Sequence, residues 1–331
     1  MKRRLLDWLA CPACRGGLLV TRAKLEADDI HEGELACRGC GARYPIRRGI
    51  PRLVPPTLTA QVKATVERFG YEWTRFAEIR PEYEDQMLGW IAPLGRDAFC
   101  GRRVLDAGCG KGRHLRLAAA FGAKEVIGVD LGPAVDAAAQ NTADLDNVHV
   151  VQGDLTRPPF HPESLDLIYS IGVLHHLPEP EAGFRALAPL LVPGGRFVAW
   201  LYAREGNGWV LALVDPARRL TSRLPLPLVG GLAWIVAIPL WIALRLLYAP
   251  ARTRPWLARA LPYASYLTDL VPFPFREVHS IAFDQLLAPV AHYMARGRVA
   301  RAFAEGGLTL ESLRWHHANS WAASGTRAET R

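Results

Sequence analysis

The tightest constraint on the fold lies between residues 104 and 112, where Val104-Leu105-Asp106-Ala107-Gly108-Cys109-Gly110-Lys111-Gly112 ends an apolar run in a turn holding three glycines. Glycine lets a backbone turn sharply and come close to a bound molecule. A strand, a glycine turn and a helix opening at about Arg113 together make a general pocket for nucleotide-like molecules. Further β-branched or apolar runs follow at Val126–Val129, Val148–Val151, Leu165–Tyr169 and Arg196–Trp200, separated by helical stretches. That alternation predicts βαβ units, hence an α/β domain with a parallel sheet covered by helices on both faces.

The far end of the chain completes this sheet. Arg298 to Gly306 reads as a helix stopped by Gly306-Gly307, and Leu308–Trp315 with Asn319–Ala323 reads as a closing hairpin. The expected fold is a Rossmann-like, doubly wound, seven-stranded sheet with an antiparallel C-terminal hairpin. Residues 202–297 become an insertion before the last helix. The organisation expected is a cysteine-rich head over 1–55, a helical connector over 56–100, and the main domain over 101–331.

Side chains at the strand ends point to a ligand. Asp130 follows the second strand, where a carboxylate can accept hydrogen bonds from two ribose hydroxyls, and Asp154-Leu155 follows the third, where an adenine edge would lie. Ser170-Ile171-Gly172-Val173-Leu174-His175-His176-Leu177 follows the fourth. Read singly, the glycine turn is also a plain βα connection, and Asp130 also a helix cap before Pro133.

In combination the run resembles the class I S-adenosylmethionine-dependent methyltransferases that carry an Asp-x-Gly-x-Gly-x-Gly-like turn and a Leu-His-His-Leu stretch. The resemblance implies that Asp106, Gly108, Gly110 and Gly112 shape the methionine and ribose side of the cofactor pocket. It further implies that Asp130 with Leu131 holds the ribose, Asp154 with Leu155 holds the adenine, and Ser170 to Val173 floors the sulfonium. In many relatives the connector closes over the cofactor, which makes Tyr71, within Phe69-Gly70-Tyr71-Glu72-Trp73, a candidate lid residue; Tyr71 and Trp73 read equally as core aromatics.

Methyl transfer is an in-line displacement, and a base is needed only for a protonated nucleophile. Imidazole titrates near neutrality, so His175, His176 and His279 are the candidate bases, with a structural role as the alternative for each.

Cys11-Pro12-Ala13-Cys14 and Cys37-Arg38-Gly39-Cys40 supply four thiolates in two knuckles, the pattern of a closed, structural Zn²⁺ site that leaves no open position for catalysis. Residues from Leu9 to Pro51 resemble the small zinc-ribbon activator subunit of tRNA, rRNA and release-factor methyltransferases, here fused in cis. Cysteines in metal spacing argue for a reducing compartment. No secretory core precedes Cys11, and the location expected is cytoplasmic.

From Leu224 to Leu244 the chain carries no charge. Pro225, Pro227 and Pro239 interrupt it, and a single crossing would separate the last helix and hairpin from their sheet, which argues against a membrane span. A lid over a greasy substrate and a patch at residues 224–249 resting on an anionic inner-membrane surface both remain open, as does a subunit interface; flanking arginines favour the patch.

The reading that follows is S-adenosylmethionine-dependent methyl transfer to a small or lipid-linked acceptor. RNA methylation is the runner-up, drawn from the ribbon and the net charge of +8. No Asn-Pro-Pro-Tyr-like tetrapeptide follows the fourth strand, which makes nucleic acid the weaker partner. A cofactor-binding scaffold is the non-enzymatic alternative. Oligomeric state is not legible.

Overall fold

The computed structural model describes residues 1–329. Four strands open the chain: β1 Leu18–Glu26, β2 Asp29–Cys37, β3 Arg43–Arg47 and β4 Ile50–Leu53. Helices α1 Ala60–Arg75 and α2 Tyr83–Ile91 form the connector. The βα block follows as β5 Arg103–Ala107, α3 Arg113–Ala120, β6 Glu125–Asp130, α4 Val135–Asn141, β7 Val148–Gly153, β8 Leu165–Ile171, α5 Pro180–Leu187 and β9 Leu191–Tyr202. The insertion carries α6 Asp215–Thr221, α7 Leu226–Ala243, α8 Ala249–Ala251, α9 Pro255–Ala260, α10 Ala264–Leu270 and α11 Phe275–Leu287. Helix α12 Arg296–Glu305 and the hairpin β10 Leu308–His316 and β11 Ser320–Arg327 close the chain.

The strands lie in the order β1-β2-β3-β4-β7-β6-β5-β8-β9-β11-β10. From β7 to β10 this is the expected seven-stranded unit: β7, β6, β5, β8 and β9 run parallel, and β11 pairs antiparallel with β9 and with β10. The count of seven needs correction to eleven. Strand β4 pairs in parallel with the free edge of β7, Arg52 opposite Gln152 and Leu53 opposite Gly153, and joins the head's three strands to the same sheet. An uncovered edge is a row of unpaired peptide groups, and β4 satisfies it.

The head has no core of its own. Leu5, Leu9, Ile30, Leu35 and Ile46 share one buried cluster with Val151, Leu155 and Phe160 of the main domain. The backbone continues the contact: Ala10 N donates to Pro159 O at 2.9 Å, and His161 N donates to Trp8 O at 2.9 Å. The head therefore braces the segment after β7. On the other sheet face, α2 and α3 pack Met87, Trp90, Leu115 and Ala118 against Val104, Val126 and Tyr169.

The insertion corrects one expectation. Pro239 lies inside α7, and Pro227 occupies its first turn, where the missing N–H costs nothing. The helix then runs through a π-helical turn at Leu244–Tyr248 into α8, so that Leu226–Ala251 is one rod long and apolar enough to cross a membrane. Val229, Ala233, Ala237, Leu244, Tyr248 and Ala251 form a buried stripe along its whole length. The stripe packs on Phe76, Phe283 and Leu287 at one end and on Phe273 and Val278 at the other. Held along one side in this way, the rod lies on the domain surface.

Candidate functional site

A cavity of about 720 Å³ opens at the C-terminal ends of the parallel strands, roofed by α1 and the insertion. Its floor at one end is the glycine turn. Gly108 has φ +97°, and a Cβ there would lie 2.3 Å from a methyl of Val173, so only glycine fits between β5 and the loop after β8. Gly110 faces the indole of Trp73 from α1.

Asp130, at the end of β6, is gripped on both oxygens: Oδ2 accepts from Gly110 N at 3.1 Å and Oδ1 from Gly132 N at 2.8 Å. Burial raises its pKa, and the backbone donors partly offset that rise. Asp154, after β7, accepts from Thr156 N and Oγ1 at 2.8 Å each. Leu131 and Leu155 sit beside them on the cavity wall. Of the expected cofactor residues, Gly108, Gly110, Asp130, Leu131, Asp154 and Leu155 thus converge on one wall.

Others stand back from it. Gly112 caps α3 in the left-handed conformation, and Ser170 spends its hydroxyl on Ala107 O at 2.8 Å. Tyr71 turns away from the cavity and packs near Phe283 with the insertion, which corrects its reading as a lid residue; the neighbouring Phe69, Glu72 and Trp73 line the cavity instead. A helix presents residues a few positions apart on one face, so the two sides of α1 part here. Asp106 lies beneath the turn, 1% exposed, with both oxygens unpartnered among the described residues. Burial pushes its carboxyl up to about 8.

The three histidines separate. His175 is fully buried, stacks on Tyr202 with ring centres 4.0 Å apart, lines no part of the cavity, and is held well below the usual imidazole range by burial. His279 packs parallel to Phe275 and hydrogen-bonds Gly230 O at 3.2 Å, also off the cavity. Both base assignments are corrected on that ground: a general base must reach the proton it takes. His176 does line the cavity, but one ring nitrogen is committed to Val290 O at 2.6 Å and burial lowers its pKa to about 4.

From the ionisable stretch 275–284 sequence reasoning chose His279, whereas Glu277 and Asp284 of that stretch, with Lys111 of the glycine turn, are the groups that line the cavity. Lys111 is 2% exposed, donates to Phe76 O at 2.7 Å and Tyr83 Oη at 2.9 Å, and is brought down to about 8 by burial. Tyr83 in turn donates to Glu277 at 2.8 Å, tying the glycine turn to α11. Glu72 and Asp284, from α1 and α11, both face the cavity. Their only sequence signal was polarity within apolar runs, and 212 positions separate them.

In the head, the four cysteine sulfurs lie within 4.8 Å of one another, with Cys11–Cys40 at 3.7 Å and Cys14–Cys37 at 3.4 Å. A tetrahedral ion with bonds of about 2.3 Å to sulfur requires sulfur separations of about 3.8 Å. Gly39 N and Cys40 N point at Cys37 Sγ and favour its thiolate, lowering its pKa to about 6. The donor set fits Zn²⁺.

Comparison with known proteins finds two family matches. Residues 105–199 match the methyltransferase domain family, and residues 2–49 match the Trm112p-like protein family. The ubiquinone biosynthesis O-methyltransferase of Pseudomonas putida is 32% identical over 158 residues, covering 46% of this chain and 66% of that protein. The protein of the same name from Klebsiella pneumoniae is 31% identical, covering 47% and 64%. The chain thus spans just under two thirds of the length of these relatives. An S-adenosylmethionine-dependent methyltransferase structure from Mesorhizobium loti aligns over 71% of this chain and 94% of its own, at 19% identity and a TM-score of 0.43.

Proposed function

For a chain that carries a class I methyltransferase domain behind a Trm112p-like ribbon, we propose S-adenosylmethionine-dependent methylation of a hydroxyl on a small, apolar acceptor drawn from a lipid surface. The observation that carries this reading is the cavity's two-ended character. Its β6–β7 end is polar and glycine-lined, suited to an adenosyl group, with Asp130 for ribose hydroxyls and Asp154 beside Leu155 for adenine. When bound there, S-adenosylmethionine supplies an electrophilic methyl group.

The residues fit such a group. Asp130 keeps both oxygens on backbone N–H donors, which fixes a carboxylate on the cavity wall for ribose hydroxyls. Gly108 and Gly110 present bare backbone to the cavity, where a ligand can approach closely.

The other end, past Glu72, Tyr202 and Asp284, turns apolar toward its mouth. Its walls include Leu213, Ala217 and Val236, which are also exposed at the surface, so the cavity opens between α6 and α7. Around that mouth the insertion is bare: Trp209 is 72%, Ile235 70% and Leu246 69% exposed, and only 17% of the rod's most apolar stretch is buried. A patch of this kind marks an interaction surface. Pro216 to Thr268 holds seven arginines and no acidic residue, and the six other than the buried Arg218 are exposed, which matches anionic headgroups. The hydroxyl acceptor follows the named activity of the relatives and the apolar lining.

Zn²⁺ on Cys11, Cys14, Cys37 and Cys40 is structural in this reading, because four thiolates saturate it. Nucleic acid is not the acceptor proposed, since the bare aliphatic side chains of Ile235, Val236 and Leu246 beside those arginines suit acyl chains better than bases.

The test is transfer of labelled methyl from S-adenosylmethionine in the presence of bacterial membranes, with flotation on vesicles containing phosphatidylglycerol. Label is expected in the organic extract. Replacing Trp209 and Leu246 by alanine removes side chains worth about 1.5–3 kcal/mol each when buried, so vesicle affinity should fall at least tenfold. Label confined to RNA or protein, or flotation unchanged by the substitutions, would overturn the reading.

A further inference from the structure

Two carboxylates reach the cavity from elements that meet only in the folded chain. Glu72 stands on α1 and is fully buried; its Oε1 accepts from Ser280 at 3.1 Å and its Oε2 has no hydrogen-bond partner among the described residues. Asp284 stands on α11, partly exposed to the cavity, with Tyr202 Oη donating to Oδ2 at 3.3 Å. Tyr202 ends β9, and sheet order puts β9 on the opposite side of β5 from β6 and β7. Asp284 therefore lies on the acceptor side, across from the adenosyl end.

We propose that Asp284 is the general base of the transfer and that Glu72 is a positioning residue, facing the same space as a hydrogen-bond donor. This rests on the reading of a hydroxyl acceptor given above. The acceptor oxygen forms its bond to the methyl group as the methyl–sulfur bond breaks, the electron pair of that bond stays on sulfur, and the hydroxyl proton passes to a free oxygen of Asp284. It later leaves from there to water. Charges balance, since the positive charge lost at sulfur matches the negative charge lost at Asp284.

The surroundings assign the two roles. Burial, and then the charge of Asp284, drives Glu72 well above the carboxylate range, which favours its protonated form. Burial raises Asp284 to about 6, opposed by Arg218 of α6, the hydroxyl of Tyr202 and Arg113 of α3. Lys111 on the glycine turn and Glu277 on α11 act on Glu72 with opposite signs. Asp284 is thus ionised at pH 7 yet more basic than a carboxylate in water, and more basic than His176. A base with a pKa near the working pH is the effective one.

The experiment uses the full chain and three isosteric or conservative variants, D284N, E72Q and D284E. Single-turnover methylation of phenols by wild type should fall below about pH 6 and be level above it. D284N should lose about 10²–10⁴-fold in rate, the span of general-base catalysis. It should keep its calorimetric affinity for S-adenosylmethionine, lose the acid limb, and recover rate with phenols acidic enough to be ionised already; D284E should retain part of the rate and the limb. Infrared difference spectra between wild type and E72Q, without acceptor, should show at pH 7 a protonated carboxyl present only in wild type, beyond that of Asp106 common to both. An unchanged limb in D284N, or equal losses with neutral and ionised phenols, would overturn the role of Asp284. Absence of that difference band between wild type and E72Q would overturn that of Glu72. If wild type methylates no hydroxyl compound, the acceptor reading has failed instead, and the infrared band still decides the state of Glu72.

Discussion

Replacing Gly108 by alanine tests whether the glycine turn is shaped by the loop after β8. The new Cβ would lie 2.3 and 2.5 Å from the two methyls of Val173 and 2.8 Å from its Cβ, at a backbone φ of +97°. The left-handed backbone costs an L residue about 1–2 kcal/mol, and overpacking of this severity about 1–3 kcal/mol, for a total of about 2–5 kcal/mol. Removing the Val173 methyls should relieve most of the second contribution, the 2.8 Å approach to the remaining Cβ excepted, and leave the first. Urea unfolding without cofactor, run on G108A, V173A, the double variant and wild type, should yield a favourable coupling of about 1–3 kcal/mol. Gly110 serves as the control: its φ is +49°, an added Cβ would meet Trp73 no closer than 3.4 Å, and G110A should cost about 1–2 kcal/mol. If G108A and V173A add without coupling, or if G110A is as damaging as G108A, then the close approach of these two segments is not what demands glycine.

Two further outcomes are expected. Stripping metal from the head should weaken S-adenosylmethionine binding, because the head holds the Asp154–Phe160 segment through two backbone hydrogen bonds between Trp8-Leu9-Ala10 and Pro159-Phe160-His161, worth about 1 kcal/mol each. Calorimetry before and after chelation, with zinc release measured in parallel, should show a loss of about tenfold, and an unchanged affinity would separate the head from the cofactor site. Asp106 titrates near 3.8 when unfolded and about 8 when folded, so between those values the folded chain holds a proton that the unfolded one has lost. Stability of the cofactor-free protein should therefore fall as pH rises from about 4 to 8, and D106N should flatten that slope; identical slopes for the two proteins would show that Asp106 ionises freely.

Local chemistry was enough to announce the βα block, its glycine turn and the cysteine knuckles. Each is set by residues near one another in the chain: β-branched runs make strands, glycines permit the turn from β5 into α3, and Cys-x-x-Cys spacing places two sulfurs on one knuckle. The placement of Asp130 and Asp154 at strand ends was legible for the same reason, because a strand end in a parallel sheet has a known address. The attachment of the head was not, since Arg52 and Leu53 pair with Gln152 and Gly153 through β4, which has no pattern of its own beyond four residues. Packing alone decided the continuity of α7 through Pro239, because a buried stripe can hold a helix past a missing hydrogen bond. It also decided which polar side chains meet the cavity. His175 and His279 carried the obvious chemistry and were turned into aromatic packing, whereas Glu72 and Asp284 came together only because α11 folds back across α1. Long-range contacts determine burial, and burial determines which ionisable group keeps its proton.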